Sequence, residues 1–144
     1  GGKVGPWMSD LVKTAHALLV ASSPVTAIVG TRVSSLYREE GDILPSLVIE
    51  VDGVEPDLAT GLSGIASMIR GDLTIVCFAE SLGTCVDLAQ KSASALGGQR
   101  GTNADGKGYA VAANISTDSV EAALGGGSSG PVSINVEVEL YLDC

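Results

Sequence analysis

The stretch VSINVEVELYLD, residues 132–143, sets how every other segment of the chain is read. Val132, Ile134, Val136, Val138, Leu140 and Leu142 alternate without a break against Ser133, Asn135, Glu137, Glu139, Tyr141 and Asp143. Side chains of a strand point to opposite faces in turn, so this period of two predicts a long strand. One face is core, and the other meets solvent or a partner.

Upstream, the same period recurs just after Pro45, where Leu47, Ile49 and Val51 alternate with Val48, Glu50 and Asp52. It returns over Ser67 to Phe78, with Ile69, Leu73, Ile75 and Cys77 on one face and Arg70, Asp72 and Thr74 on the other. Gly71 is the expected place for a bulge there. A further strand is expected over Tyr109 to Ser116, and a short one over Thr31 to Leu36. The intervening Gly53 to Ala66 carries Pro56, Gly61 and Gly64 and exceeds a tight hairpin, which suggests a binding arm.

Helical spacing appears twice. Leu11, Val12, Ala15, Leu18 and Leu19 follow Ser9, read as an N-cap, and Asp10 in the first turn. Ser81 likewise caps a helix through Leu96, with the stripe Leu82, Cys85, Val86, Ala89, Ala93 and Leu96 ended by Gly97-Gly98. A short helical turn is expected after Ser23-Pro24, stopped by Gly30. Gly97 to Gly108 and Gly125 to Gly130 read as loops. The sum is an α+β fold: a mainly antiparallel four-stranded sheet with two main helices on one face. Residues 1–8 form an N-terminal extension, and 9–144 a single domain.

Composition narrows the function. The chain has 144 residues, 45% hydrophobic but 3% aromatic, so its core rests on Val, Leu, Ile and Ala. Seventeen acids against eight bases give a net charge of −9, the wrong sign for a surface that grips phosphates. Cys77, Cys85 and Cys144 form no Cys-x-x-Cys pair and leave an odd thiol, which suits a reducing compartment and a structural role. No apolar run approaches the ~20 residues of a membrane span, and no signal peptide is read at the N-terminus. A soluble protein is expected.

Each candidate for chemistry has a plainer reading. Gly101 to Gly108 resembles a phosphate-binding loop through Gly106-Lys107, but glycine stands where Ser or Thr should hold magnesium. It also follows a helix and enters a strand, the reverse of the true motif. Asp52, Glu55 and Asp57 lack the ligand spacing of a calcium loop and read as a solvated acidic segment. His16, the single histidine, has no companions for a zinc site or a nucleophile elbow for a triad. Cys85 near a helix start could have a lowered pKa, yet it lies on the apolar stripe. Neither an active site nor a cofactor is expected, and a binding or structural role follows.

Four stretches in order carry a family resemblance: Ile28-Val29-Gly30-Thr31-Arg32-Val33, Leu44-Pro45-Ser46-Leu47-Val48-Ile49, Leu73-Thr74-Ile75-Val76-Cys77-Phe78 and Val86-Asp87-Leu88-Ala89-Gln90-Lys91. Over Leu11 to Leu96 the chain resembles the tail-completion, or tail terminator, proteins of long-tailed bacteriophages and gene transfer agents. The resemblance implies a structural subunit of a ring, usually hexameric, that closes the tail tube. Its implied partners are further copies of itself, the major tail tube protein and the head-side connector or stopper protein. DNA passes through without specific binding. The implied location is the virion, at the head-tail junction, after assembly in the host cytoplasm. Departures are Ser46, where an aromatic commonly follows the proline, and the long glycine-rich loops after Leu96. Alternatives are another connector or tube subunit, or a small α+β ligand-binding domain using the Gly97 to Gly108 loop.

A ring with head-to-tail contacts needs two complementary patches on each subunit. The expected interface residues are Arg32, Arg38 and Arg70, to pair with a neighbour's acids, together with Asn135, Glu137, Glu139 and Tyr141 on the polar strand face. Seven acids and no Lys or Arg lie between Glu39 and Asp57. Glu39, Glu40 and Asp42 are the expected lining of a lumen that repels DNA phosphates, simple solubility being the plainer reading.

Overall fold

The computed structural model describes residues 4–35, 43–56, 68–126 and 131–143. In chain order the elements are α1 (Val4–Val20), α2 (Ser23–Val29), β1 (Val33–Ser35), β2 (Ser46–Pro56), β3 (Met68–Ala79), α3 (Leu82–Leu96), β4 (Arg100–Thr102), β5 (Gly108–Ile115), α4 (Thr117–Gly125) and β6 (Val132–Asp143). The strands form one sheet in the order β1-β2-β3-β6-β5-β4. β1 runs parallel to β2, and every other neighbouring pair is antiparallel.

This corrects the expected four-stranded sheet with two main helices. The sheet has six strands and is mixed, and the described residues include four helices. The strands beyond those four are edge pieces of three residues each: β1, which falls within the short strand expected over Thr31 to Leu36, and β4. β4 is exposed throughout, so backbone pairing with β5 defines it and no hydrophobic alternation marks it. α4 also goes unseen in the sequence, because it is short and has no buried residue.

The two longest strands, β3 and β6, lie side by side in the middle of the sheet, from Met68 opposite Asp143 to Ala79 opposite Val132. Their inward residues, Ile69, Leu73, Ile75 and Cys77 with Ile134, Val136, Val138, Leu140 and Leu142, are all buried in one cluster. The helices lie over that face. α1 contributes Leu11, Ala15 and Leu19 at steps of four, and α3 contributes Cys85, Leu88, Ala89 and Leu96. Leu88 lies outside the expected stripe, which is centred slightly to one side of the buried one. Ser81 caps α3 as expected, its side chain accepting from the Thr84 N–H. Ser9 is no cap, because α1 already begins at Val4, and Ser22 rather than Ser23 caps α2.

The bulge falls at Asp52, not at Gly71. Val51 pairs with Leu73 and Gly53 with Asp72, leaving Asp52 as the extra residue. A one-residue insertion reverses which face each later side chain takes. Val54 therefore packs against the core while Glu55 stands opposite Arg70 on the other face.

Both Cys77 and Cys85 are buried and free. Cys85 Sγ donates to the Cys77 carbonyl at 3.2 Å. Burial, helped by the neighbouring Cys85, pushes the Cys77 thiol up to about 12, and burial pushes Cys85 up to about 11.

Candidate interaction surface

The sheet face turned away from the core cluster carries the charge. Across β2, β3, β6 and β5 the register sets Glu50 opposite Thr74, Thr74 opposite Glu137, and Glu137 opposite Asn114. One step along, Asp72 faces Glu139, which faces Ala112. Like charges placed directly opposite repel, so Asp72 and Glu139 need a cation or an outside partner. Asp52, Asp72, Thr74, Ala112, Asn114, Glu137 and Glu139 line a shallow groove of about 360 Å³.

Arg70 supplies one cation on this face. Its Nη2 donates to Asp72 Oδ2 at 3.4 Å, and its Nε lies 3.7 Å from Glu55 Oε1. The hydrogen bond and charge of Asp72, then the charges of Glu139 and Glu55, hold its guanidinium more firmly protonated than usual. The bulge is what brings Glu55 to Arg70. It also sets Asp52 to accept from the Thr74 hydroxyl.

Of the residues expected at an interface, Arg70, Asn135, Glu137, Glu139 and Tyr141 come together on this face, with Tyr141 opposite Arg70 and its hydroxyl 3.4 Å from Glu139 Oε2. The Asn135 backbone also ties α4 to the sheet, its N–H donating to Ser119 Oγ and its carbonyl accepting from the Ser116 N–H. Arg32 is elsewhere. Its Nε donates to the Pro45 carbonyl at 2.8 Å and its Nη2 to the Ile28 carbonyl at 3.3 Å, joining α2 to the segment before β2. Arg38, Glu39, Glu40 and Asp42 lie outside the described residues, as does most of the expected Gly53 to Ala66 arm. Asp52, Asp72 and Asn114 are absent from the expected set. Their membership depends on register between strands, which alternation within one strand does not reveal.

The loop that resembles a phosphate cradle is the β4–β5 turn. Asn103 Oδ1 accepts the N–H groups of Asp105 and Lys107, and Lys107 Nζ pairs with Asp10 of α1 at 2.9 Å. The donors that would hold a phosphate are thus engaged within the chain. Among the described residues no single helix is long and apolar enough to cross a membrane.

No protein-family profile matches the chain. No curated protein matches it either. Among solved structures, it is similar to a chain of the "Virion of native gene transfer agent (GTA) particle", at 14% identity and a TM-score of 0.52. The superposition covers 90% of this chain and 92% of that one, so the two share a fold from end to end.

Proposed function

We propose that this chain is a structural virion protein: a subunit of a ring, hexameric by family resemblance, that terminates a phage-like tail tube and joins it to the head-side connector. The single observation that carries this reading is the fold shared over nine-tenths of both chains with a component of a gene transfer agent particle. The ordered tail-completion stretches point the same way, independently of that match. The acidic sheet face supplies one of the two patches a closed ring needs, with Glu137, Glu139, Tyr141 and Arg70 meeting a neighbour. Charge there favours orientation and partner choice over raw affinity. Glu39, Glu40 and Asp42 face the lumen in this reading, and DNA passes without binding.

Purified protein mixed with tail tubes tests the proposal. Electron microscopy is expected to find a ring on one end of each tube, with no enzymatic turnover required for assembly. Protein bound along the tube wall, or to connectors in preference to tube ends, would assign it to another virion position.

A further inference from the structure

We infer that the exposed tip of α4 in one copy docks into the hollow between α1 and the β4–β5 turn of the next copy. This contact rests on the ring reading and adds a complementary pair of patches to the acidic sheet face. The hollow, about 420 Å³, is lined by Lys13, Ala17, Leu18, Ala104 and Tyr109, beside the Lys107–Asp10 ion pair. Its apolar share comes from Ala17, Leu18, Ala104 and the Tyr109 ring. Lys13 is exposed at its rim and makes no ion pair among the described residues, while Asp105 is the exposed acid on the turn.

α4 presents the complement. Val120 and Ala123 pack against the core, whereas Leu124 is 64% exposed. Glu121 stands one turn before Leu124, Asp118 one turn before that, and no Lys or Arg lies in the helix. Residues three or four apart share a helix face. Glu121 and Leu124, three residues apart, and Lys13 and Ala17, four apart, each span about one helical turn, and their chemistry is complementary: acid to ammonium, and leucine to the apolar share of the hollow.

The helix and the hollow belong to opposite ends of β5. α4 follows the C-terminal end of β5 at Ile115, and the hollow lies at its N-terminal end, beside Gly108. At ~3.3 Å per residue those ends of the strand are roughly 23 Å apart. A contact that joins different surfaces of identical chains is head-to-tail, the kind that closes into a ring.

The test is a chain carrying both Ala17→Cys and Leu124→Cys, oxidised gently at concentrations where the protein assembles. A ladder of covalent oligomers is expected, and neither single variant should give one. Lys13→Glu should weaken self-association about tenfold, and adding Glu121→Lys should restore it. If wild-type chains form rings yet the double-cysteine chain gives no ladder and Lys13→Glu has no effect, the α4 contact is wrong and the ring stands. If wild-type chains form no rings even on tube ends, the ring reading fails and this contact with it.

Discussion

Leu11 of α1 lies directly over the backbone of Gly71 in β3, so close that a Cβ at position 71 would fall 2.6 Å from Leu11 Cδ1. Leu11 is fully buried, so a swing of its side chain would press on packed neighbours. The glycine is thus a seat for the helix. Gly71→Ala should destabilise the fold by about 1–3 kcal/mol through overpacking. In a Leu11→Ala background the same change should cost much less, a coupling that chemical denaturation of the four chains would measure. Equal costs in both backgrounds would mean that Leu11 does not set the constraint.

The Asp52 bulge supports a second prediction. Asp52→Ala keeps the chain length and loses one exposed hydrogen bond to Thr74, so it should cost under about 1 kcal/mol. Deleting Asp52 leaves Val51, Gly53, Val54 and Glu55 opposite Leu73, Asp72, Gly71 and Arg70 as an unbroken ladder, with Val54 still toward the core and Glu55 still on the other face. That chain should also stay within about 1–2 kcal/mol of wild type, because no side chain changes face; a much larger loss would mean that the extra residue itself sets the bend of the strand. Urea unfolding midpoints of the two variants check this.

Arg70 offsets a crowd of carboxylates, and its removal should show in salt dependence. Arg70→Ala leaves Asp72, Glu139 and Glu55 facing one another, so its melting temperature should fall below wild type at low ionic strength. The gap should narrow at high salt, where exposed charges are screened. A gap that does not respond to salt would mean that the side chain contributes packing alone.

Burial of Cys77 and Cys85 makes both thiols poor nucleophiles in the native state. Alkylation at pH 8 should reach neither before unfolding, which mass mapping of labelled peptides would show. Because the folded pKa values are raised, to about 12 and about 11, the native state holds these protons after the unfolded chain has released them. Their stabilising contribution is complete below the ordinary thiol pKa and is lost as pH rises through the folded values, on the order of 1 kcal/mol per pH unit for each thiol. Replacing both with alanine should flatten the alkaline side of the stability profile.

What the sequence revealed follows from which forces leave a local imprint. β6 was legible almost to the residue, because a half-buried strand must alternate and nothing in Val132 to Asp143 breaks the pattern. α3 was legible for its Ser81 cap and glycine stop. β1 falls within the short strand expected over Thr31 to Leu36, whereas β4 left no trace, because three exposed residues are a strand only by virtue of a neighbour. α4 offered a capping Ser116 and Asp118 in its first turn, but too few apolar residues to stand out beside the glycine run. The candidate surface was half legible for the same reason. Alternation assigned Glu137, Glu139, Tyr141 and Arg70 to an outward face, whereas the groove they share with Asp52, Asp72 and Asn114 arises from register across four strands and from the bulge. Arg32 shows the limit most clearly. Its acceptors are carbonyls, one of them thirteen residues away, and a carbonyl is the same in every sequence.

Closing a tail tube at its final length is the proposed role on which the proposed ring and its patches depend. The distribution of tail lengths in particles assembled without this chain, read by electron microscopy, probes that role without intermediaries. Tubes of abnormal, mostly excessive length that never join heads are expected, with normal length and joining restored when the chain is supplied. Tails of uniform native length joined to heads in its absence would contradict it.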